Sequence, residues 1–428
     1  MQYSEFESLP SPSYVFSADE LTARFCHIRE FFGEKIRLVY AMKANPFLTA
    51  DLAPYADAFE VCSPGEMHIC EKAGIPGEKL VLSGVNKDAA DFAHAAEAFG
   101  DRPVYTVESP SQMEMLEKTA AARGLVFRVL LRVTDGNQFG MDEETVEGLI
   151  RQRADYPHLS VRGLQLFTGT QKKARQIERE LIWIDAFIAR LSENDGFDVE
   201  ELEYGPGLPV EYFREASGKA RADGLEDTGR ISAASGAACE GPCGNVPVPG
   251  GGLLPSDHAV MAHLKEQLAS LRFRGQISLE LGRFAAAYCG YYLTRVADAK
   301  TSLGTNYLIL DGGIHQLTYH GQTMAMKVPF ILHKDPAAAG TSAGSAAPAI
   351  PYTLCGSLCT YADVLVRQAF LPKTRTGDLL VFTRAGAYAV TEGIALFLSR
   401  GLPRVYIKRG DVLHLIRDLI PTEVFNYG

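Results

Sequence analysis

From residue 35 to about residue 210, short β-rich runs alternate with amphipathic, helix-like segments, and this rhythm constrains the fold more than any other feature of the chain. The runs are "IRLVYAMKA", "AFEVCS", "KLVLSG", "PVYTVES", "FRVLLRV" and "VRGLQLFTG". Among the segments between them lie "PGEMHICEKAG", "SPSQMEMLEKTAAARG" and "KKARQIERELIWIDAFIARLSEN". Strand and helix taking turns predict β/α units on a parallel sheet. Six or more such units in one stretch favour a closed (β/α)8 barrel, an α/β fold, over an open sheet.

Residues 215–257 break the rhythm. They are rich in Gly, Ala, Ser and Pro and read as an insertion. "HAVMAHLKEQLASLRF" then predicts a helix and "GQISLELG" the next strand. Beyond about residue 285 the runs "YYLTRVADAKT", "NYLILDGG", "DLLVFTRAGAYAV" and "RVYIKRGDVLHLI" predict strands with few helices. The expected division is a barrel over residues 22–285, with the insertion at about 215–257, and a β-rich domain made of residues 1–21 plus 286–428. A low-complexity loop at 334–349 interrupts the second domain.

Lysine and arginine total 42 against 52 acidic residues, a formal charge of −10, which argues against nucleic acid or an anionic membrane surface as a partner. No run resembles a transmembrane span, and the first residues lack the basic–apolar–small order of a signal peptide. The eight cysteines are scattered, which favours a reducing, cytoplasmic setting over a disulfide framework. Cys239 and Cys243 lie four apart, as do Cys355 and Cys359, but no further Cys or His completes a set around either pair, so no metal is expected.

"RLVYAMKANP" (37–46) reads as a buried strand with a lysine at its far end. Strand alternation puts Val39, Ala41 and Lys43 on one face. In a barrel that face could look inward, with Lys43 at the C-terminal rim where barrel enzymes keep their chemistry. Burial depresses a lysine pKa, and such an amine can become a Schiff-base nucleophile. A lysine that leaves a strand end and pairs with a carboxylate would satisfy the same pattern, and this stretch alone leaves both open.

Other stretches extend the pattern. "YAMKANP", "FEVCSPGEM" (59–67), "SGVNK" (83–87), "LRV…QFGM" (131–141), "FTGTQ" (167–171), "YGPGLP" (204–209), "ELGR" (280–283), "DGGI" (311–314), "LCTYAD" (358–363) and "GDLLVFTRAGAY" (377–388) occur in this order. In these motifs the chain resembles the pyridoxal-phosphate decarboxylases of the alanine-racemase-like fold, which include diaminopimelate, ornithine and arginine decarboxylases. The resemblance spans nearly the whole chain outside the two low-complexity stretches. It implies a TIM-like barrel followed by a C-terminal β-rich barrel or sandwich, with pyridoxal 5'-phosphate as cofactor.

The resemblance also implies roles. Lys43 would form the aldimine with the cofactor, and Glu280 would hold a proton on the pyridine nitrogen so that the ring stays an electron sink. Thr170, Gly205, Gly207, Gly282, Arg283 and Tyr388 match contacts of a phosphate cup. Pro206, in the middle of the glycine triplet, has no N–H to donate. Arg132 resembles an arginine near the ring oxygen. Phe167 stands where many relatives stack a histidine on the ring; it keeps the stacking surface but cannot hydrogen-bond. Leu281 replaces the usual proline of E-P-G-R.

Cys359 and Asp363 match a C-x-x-x-D loop that in relatives crosses into the partner subunit, which implies a homodimer with shared active sites. Cys359 would return a proton after CO2 leaves. Thr360 follows it where diaminopimelate and ornithine decarboxylases carry an acid that reads a distant ammonium, so a plain diamine-type substrate is not expected. "TGTQ" (168–171) and "QFGMD" (138–142) resemble a subgroup of secondary metabolism acting on glutamate tethered to an acyl carrier protein and on siderophore precursors. An acyl carrier protein is accordingly a candidate partner. His315, with Tyr319 and His320, either faces the substrate or is a satisfied structural group. The expected activity is decarboxylation of an amino acid or derivative. The alternatives are a racemase on the same scaffold, against which Glu280 and Cys359 argue, and a catalytically silent cofactor-binding homologue, against which Lys43, Cys359 and Asp363 argue.

Overall fold

The computed structural model describes residues 1–214, 253–334 and 349–427. Cys239, Cys243 and nearly all of the two low-complexity stretches lie outside these residues. Strand β1 (Ser13–Ser17) belongs to a second sheet. The strands β2 (Ile36–Ala41), β3 (Ala58–Val61), β4 (Leu80–Leu82), β5 (Val104–Val107), β6 (Phe127–Val133), β7 (Leu159–Phe167) and β8 (Glu201–Gly205) pair in sequence order. The short β9 (Phe213–Arg214) stands apart, and β10 (Gln276–Leu281) closes the barrel between β8 and β2. All eight barrel pairings are parallel, as the strand–helix rhythm predicts.

Local chemistry starts the outer helices where it should. Ser63, Asp88, Ser109 and Asp142 each accept a hydrogen bond from the backbone N–H three residues on. Such caps contribute about 1 kcal/mol each. Pro64 and Pro110 occupy first helical positions, where a missing N–H costs nothing. The helix after the insertion starts at Pro255, inside the stretch expected to be irregular, because Asp257 accepts from the Leu254 N–H.

Inside the barrel the alternation sorts side chains into layers. Val39, Ala58, Val81, Val104 and Leu130 form an apolar plug. Two residues further along their strands the inward positions turn polar: Glu60 on β3, Ser83 just past β4, Thr106 on β5 and Arg132 on β6. Gln165 on β7, Glu203 on β8 and Glu280 on β10 continue the polar lining, all buried. A polar ring above a dry plug is the floor of a site.

Among the described residues the second sheet holds nine strands. It is built on the long β11 (Gly290–Ser302), which pairs with β12 (Thr305–Leu310). The short β13 (Val328–Pro329) pairs with β9 instead. The sheet also includes β14 (Ile331–His333), β15 (Ile350–Cys355), β16 (Val364–Leu371), β17 (Leu379–Phe382), β18 (Arg404–Arg409) and β19 (Val412–Arg417). β1 lies between β11 and β18, antiparallel to the first and parallel to the second. This sheet-rich domain leans on the barrel mouth: Tyr388 N–H donates to Ala44 O (2.7 Å), and Asn45 Nδ2 donates to Gly386 O (2.8 Å). Among the described residues no helix is long and apolar enough to cross a membrane.

Candidate active site

Strand β2 ends at Ala41, and Met42–Ala44 form a 3-10 turn. Lys43 therefore reaches the barrel mouth from that turn, not from a strand face as the alternation predicts. Asn45 shapes the turn: its side chain accepts from Phe47 N–H and donates to Gly386 O.

Lys43 Nζ donates to Glu60 Oε2 (2.8 Å) and lies 3.4 Å from Cys62 Sγ. The lysine side chain keeps a third of its surface exposed, whereas Glu60 is 3% exposed. Burial works against the ammonium, yet Glu60 and, behind it, Cys62, Tyr388 and Glu280 outweigh burial and hold the lysine pKa well above its usual value. The expected depression by burial is thus reversed by the acidic groups around the amine. Burial also opposes the charge of Glu60, but Lys43 beside it keeps that carboxyl below the usual range. Of the two readings left open by the sequence, the ion pair with a carboxylate is the one this geometry displays.

Glu280 lies beneath this pair. Its Oε1 accepts from Gln165 Nε2 (2.5 Å), and the same amide is 3.4 Å from Glu203 Oε1. Gln165 Oε1 and Glu203 Oε2 have no partner among the described residues. Burial first, and then Glu280, push the Glu203 carboxyl well above the usual carboxylate range; burial and Glu60 raise Glu280 as well. One amide thus holds together two buried acids that resist ionising together.

The Phe167 ring stands between two ammonium groups, Lys43 Nζ and Lys172 Nζ, each 5.7 Å from its centroid. Lys172 is buried, donates to Glu180 Oε2 (2.7 Å) and Gly205 O (3.0 Å), and is pulled below the usual lysine value by burial against the opposing effect of Glu180. The loops after β7 and β8 are zipped together. Lys172 N–H donates to Gly207 O (2.9 Å), and Gln171 exchanges two bonds with Val210. That zipper sets Gly169 and Lys172 against Gly207, with Thr170 on the segment between them. Gly207 has φ +56°, and a Cβ there would strike Gly169 O. At Gly205 a Cβ would strike the Phe167 ring.

Gly282, Arg283 and Tyr388 form the facing wall. The Arg283 guanidinium lies 4.3 Å from the Tyr388 ring centroid and donates to Tyr212 Oη (3.1 Å), leaving its buried Nε without a partner among the described residues. Burial pushes the Tyr388 hydroxyl up to about 12, against the lowering effect of Lys43 and Arg283. Arg132 is buried and paired with Glu108 (3.0 Å), whose second oxygen accepts from Gly140 N–H. Lys87 lies 3.9 Å from the same carboxylate, and burial lowers its pKa to about 8.

The structure does not bring every expected residue to this mouth. Cys359 is exposed and Thr360 half-exposed on the loop between β15 and β16, where the Thr360 hydroxyl accepts from Ala362 N–H. Asp363, expected to meet substrate, is buried; its two oxygens accept from Ile314 N–H (2.9 Å) and Leu358 N–H (2.7 Å). Within this chain that carboxylate orders the loop that presents Cys359, because both of its oxygens are taken by backbone. His315 is buried in the sheet-rich domain with neither ring nitrogen bonded among the described residues, and burial lowers its pKa to about 4.

Sequence reasoning missed Glu60, Cys62, Glu108, Gln165, Lys172 and Glu203. The available sign for Glu60, Gln165 and Glu203 is a polar residue at the inward phase of an otherwise apolar strand, in "AFEV", "LQLF" and "ELEYG".

The chain can now be set beside known proteins. It is 23% identical to the L-glutamyl-[BtrI acyl-carrier protein] decarboxylase of Niallia circulans, with 97% of this chain and 94% of that protein covered. It is 28% identical to the diaminopimelate decarboxylase of Deinococcus radiodurans, covering 95% and 92% respectively. The diaminopimelate decarboxylase structure from Methanocaldococcus jannaschii in complex with L-lysine superposes with a TM-score of 0.77 at 21% identity, over 97% of this chain and 91% of that one, and has the same fold. The family model described as pyridoxal-dependent decarboxylase, C-terminal sheet domain, matches residues 14–386, and the chain therefore belongs to the pyridoxal-dependent decarboxylases.

Proposed function

We propose that the chain decarboxylates an amino acid whose distal end is not a free ammonium but a group in acyl linkage, such as a residue carried by an acyl carrier protein. The observation that carries this reading is Thr360, an uncharged residue next to the exposed Cys359 where an acid would be needed to hold a distal ammonium. The relative from Niallia circulans, which acts on an acyl-carrier-linked glutamyl group, supports it.

The residues at the mouth fit pyridoxal phosphate. Arg283 Nε is a buried donor without a partner among the described residues, and Gly205 and Gly207 keep their backbone bare where any Cβ would strike Phe167 or Gly169. When bound, the cofactor supplies the electron sink that accepts the pair left behind by CO2. Lys43 is the amine that would hold it. Glu280 would keep a proton at the pyridine nitrogen, and Phe167 would cover one face of the ring. Thr170, the two glycines, Gly282, Arg283 and Tyr388 would cradle the phosphate, and Arg132 would stand near the ring oxygen. Glu60 orients Lys43 and balances the charge of its ammonium.

Cys359 is the proposed proton donor to the α-carbon, supplied by a second copy of the chain. Among the described residues its loop makes no hydrogen bond or ion pair with Lys43 of the same chain. Nearby exposed apolar residues support a homodimer: Tyr361 lies on that loop, while Leu396, Phe397, Leu398, Val424 and Phe425 lie on segments tied to each other and to Ser357. The cytoplasmic setting expected from the cysteines is part of the same reading.

The test is CO2 release by purified, cofactor-loaded protein from free amino acids, amide-linked siderophore-type acids and carrier-linked aminoacyl groups, with Lys43→Ala as control. Lysine-dependent release from an acyl-linked substrate is the expected result. Turnover of free diaminopimelate or ornithine at higher kcat/KM than any acyl-linked acid would overturn the substrate reading.

A further inference from the structure

Away from the mouth, two outer helices place three metal-ligating side chains together. His68 and Glu71 lie three residues apart on the helix Pro64–Lys72, so they share one face. His94 comes from the helix Ala89–Phe99. One ligand atom from each of the three lies within 4.8 Å of the others. His94 Nε2 is 2.6 Å from Glu71 Oε1, and the two imidazoles meet edge to face with centroids 5.1 Å apart.

We propose that His68, Glu71 and His94 form a binding site for a divalent cation of zinc type, with water completing the coordination. Two imidazoles and one carboxylate suit Zn2+; calcium and magnesium prefer an all-oxygen set. Ligand atoms around a tetrahedral Zn2+ stand roughly 3.4 Å apart, given bonds of about 2.1 Å. Small rotamer changes of half-exposed side chains bring the trio there, and the exposed side of His68 leaves the fourth position to solvent. A plain His94–Glu71 ion pair accounts for two of the three groups. It gives no reason for His68 to converge on the same point while making no hydrogen bond of its own among the described residues.

The placement matters because the same helices flank a half-open cleft, lined by Met67 on one side and by Phe92 and Ala95 on the other, with Cys62 and Lys87 among its lining. A bound cation would fasten those two walls together next to the residue that touches Lys43. Sequence alone hides the site, since "HICE" supplies only two ligands and His94 follows 23 residues after Glu71.

The test titrates Zn2+ into cofactor-loaded protein, read by competition with a chromogenic chelator and by the shift in unfolding temperature. The proteins compared are the wild type, His68→Ala, His94→Ala and, as a control for thiol binding, Cys359→Ser. The expected result is one wild-type site, kept in Cys359→Ser and weakened at least about tenfold in both histidine variants. Zn2+ should raise the unfolding temperature of the wild type and of Cys359→Ser alone. Absence of zinc binding by the wild type, retention of it in either histidine variant, or its loss in Cys359→Ser would each overturn the proposal.

Discussion

Replacing Glu60 with glutamine tests how the mouth controls its own lysine. The substitution keeps the volume and an oxygen that can accept from Lys43 Nζ, but it removes the nearest negative charge, now 2.8 Å away. An opposite charge at such range shifts a pKa by about 1–3 units. Lys43 is one-third exposed, and solvent screens the pair toward the middle of that range. Losing that charge removes the main support of the Lys43 ammonium. Burial opposes the lysine charge throughout, so without Glu60 the pKa falls back toward or below its ordinary value. The assay is acylation of cofactor-free protein by a small amine reagent across pH, with Lys43 modification read by mass spectrometry. Because only the neutral amine reacts, the midpoint should move down and the rate at a fixed lower pH should rise at least about tenfold, the lower end of that range. A midpoint within about half a unit of wild type would show that Glu60 does not set the lysine charge and would refute the reasoning.

Glu280→Gln should cost about 10²–10³ in kcat, in keeping with the loss of one preorganised electrostatic contact, and Glu280→Asp should recover part of it; steady-state CO2 release decides. Glu203 carries a raised pKa in the folded state, so its contribution to stability is present below the ordinary carboxylate range and is lost as pH rises through the folded value. Glu203→Gln should therefore gain unfolding temperature relative to wild type as pH climbs from about 5 upward, and a pH-independent difference would count against the shared-proton picture. Arg24→Met leaves Asp257 buried and uncompensated and removes a guanidinium held 4.5 Å from both the Phe284 and Tyr288 rings; a loss of about 3–5 kcal/mol is expected in denaturant titration. Mixing Lys43→Ala with Cys359→Ala subunits should restore CO2 release that neither variant shows alone if two chains build each site. No recovery after subunit exchange would overturn the sharing of each site between two chains.

The barrel was legible because it depends on period. Runs such as "FRVLLRV" and "VRGLQLFTG" become β6 and β7 with little change, since a strand buried on both faces is written almost wholly in apolar letters. The sheet-rich second domain was legible for a similar reason, although no pattern in "SPSYVFS" foretells that its strand inserts between two others from the far end of the chain. Within the site, Lys43, Glu280, Arg283 and Tyr388 do converge, and they were found by their motifs. The carboxylate that pairs with Lys43 was not, because Glu60 pairs with it across a loop and a strand, and contact between chain segments leaves no periodic trace. Asp363 shows the limit from the other side: a motif can mark an acid without showing that its own loop amides occupy both oxygens.

Strand β1 has a consequence for how the molecule is made. Its parallel neighbour, β18, lies nearly the whole chain away, with Ser13 opposite Arg404. During synthesis this strand emerges before either of its partners exists, while the barrel segments that follow can pair in order as they appear. β11 can take one edge of Tyr14–Phe16 once it appears, but the other edge of this buried stretch stays open until β18 is out. A C-terminal truncation that removes β18 would accordingly leave the start of the chain without its edge partner, and the first visible defect would be association through β1 far from the deletion.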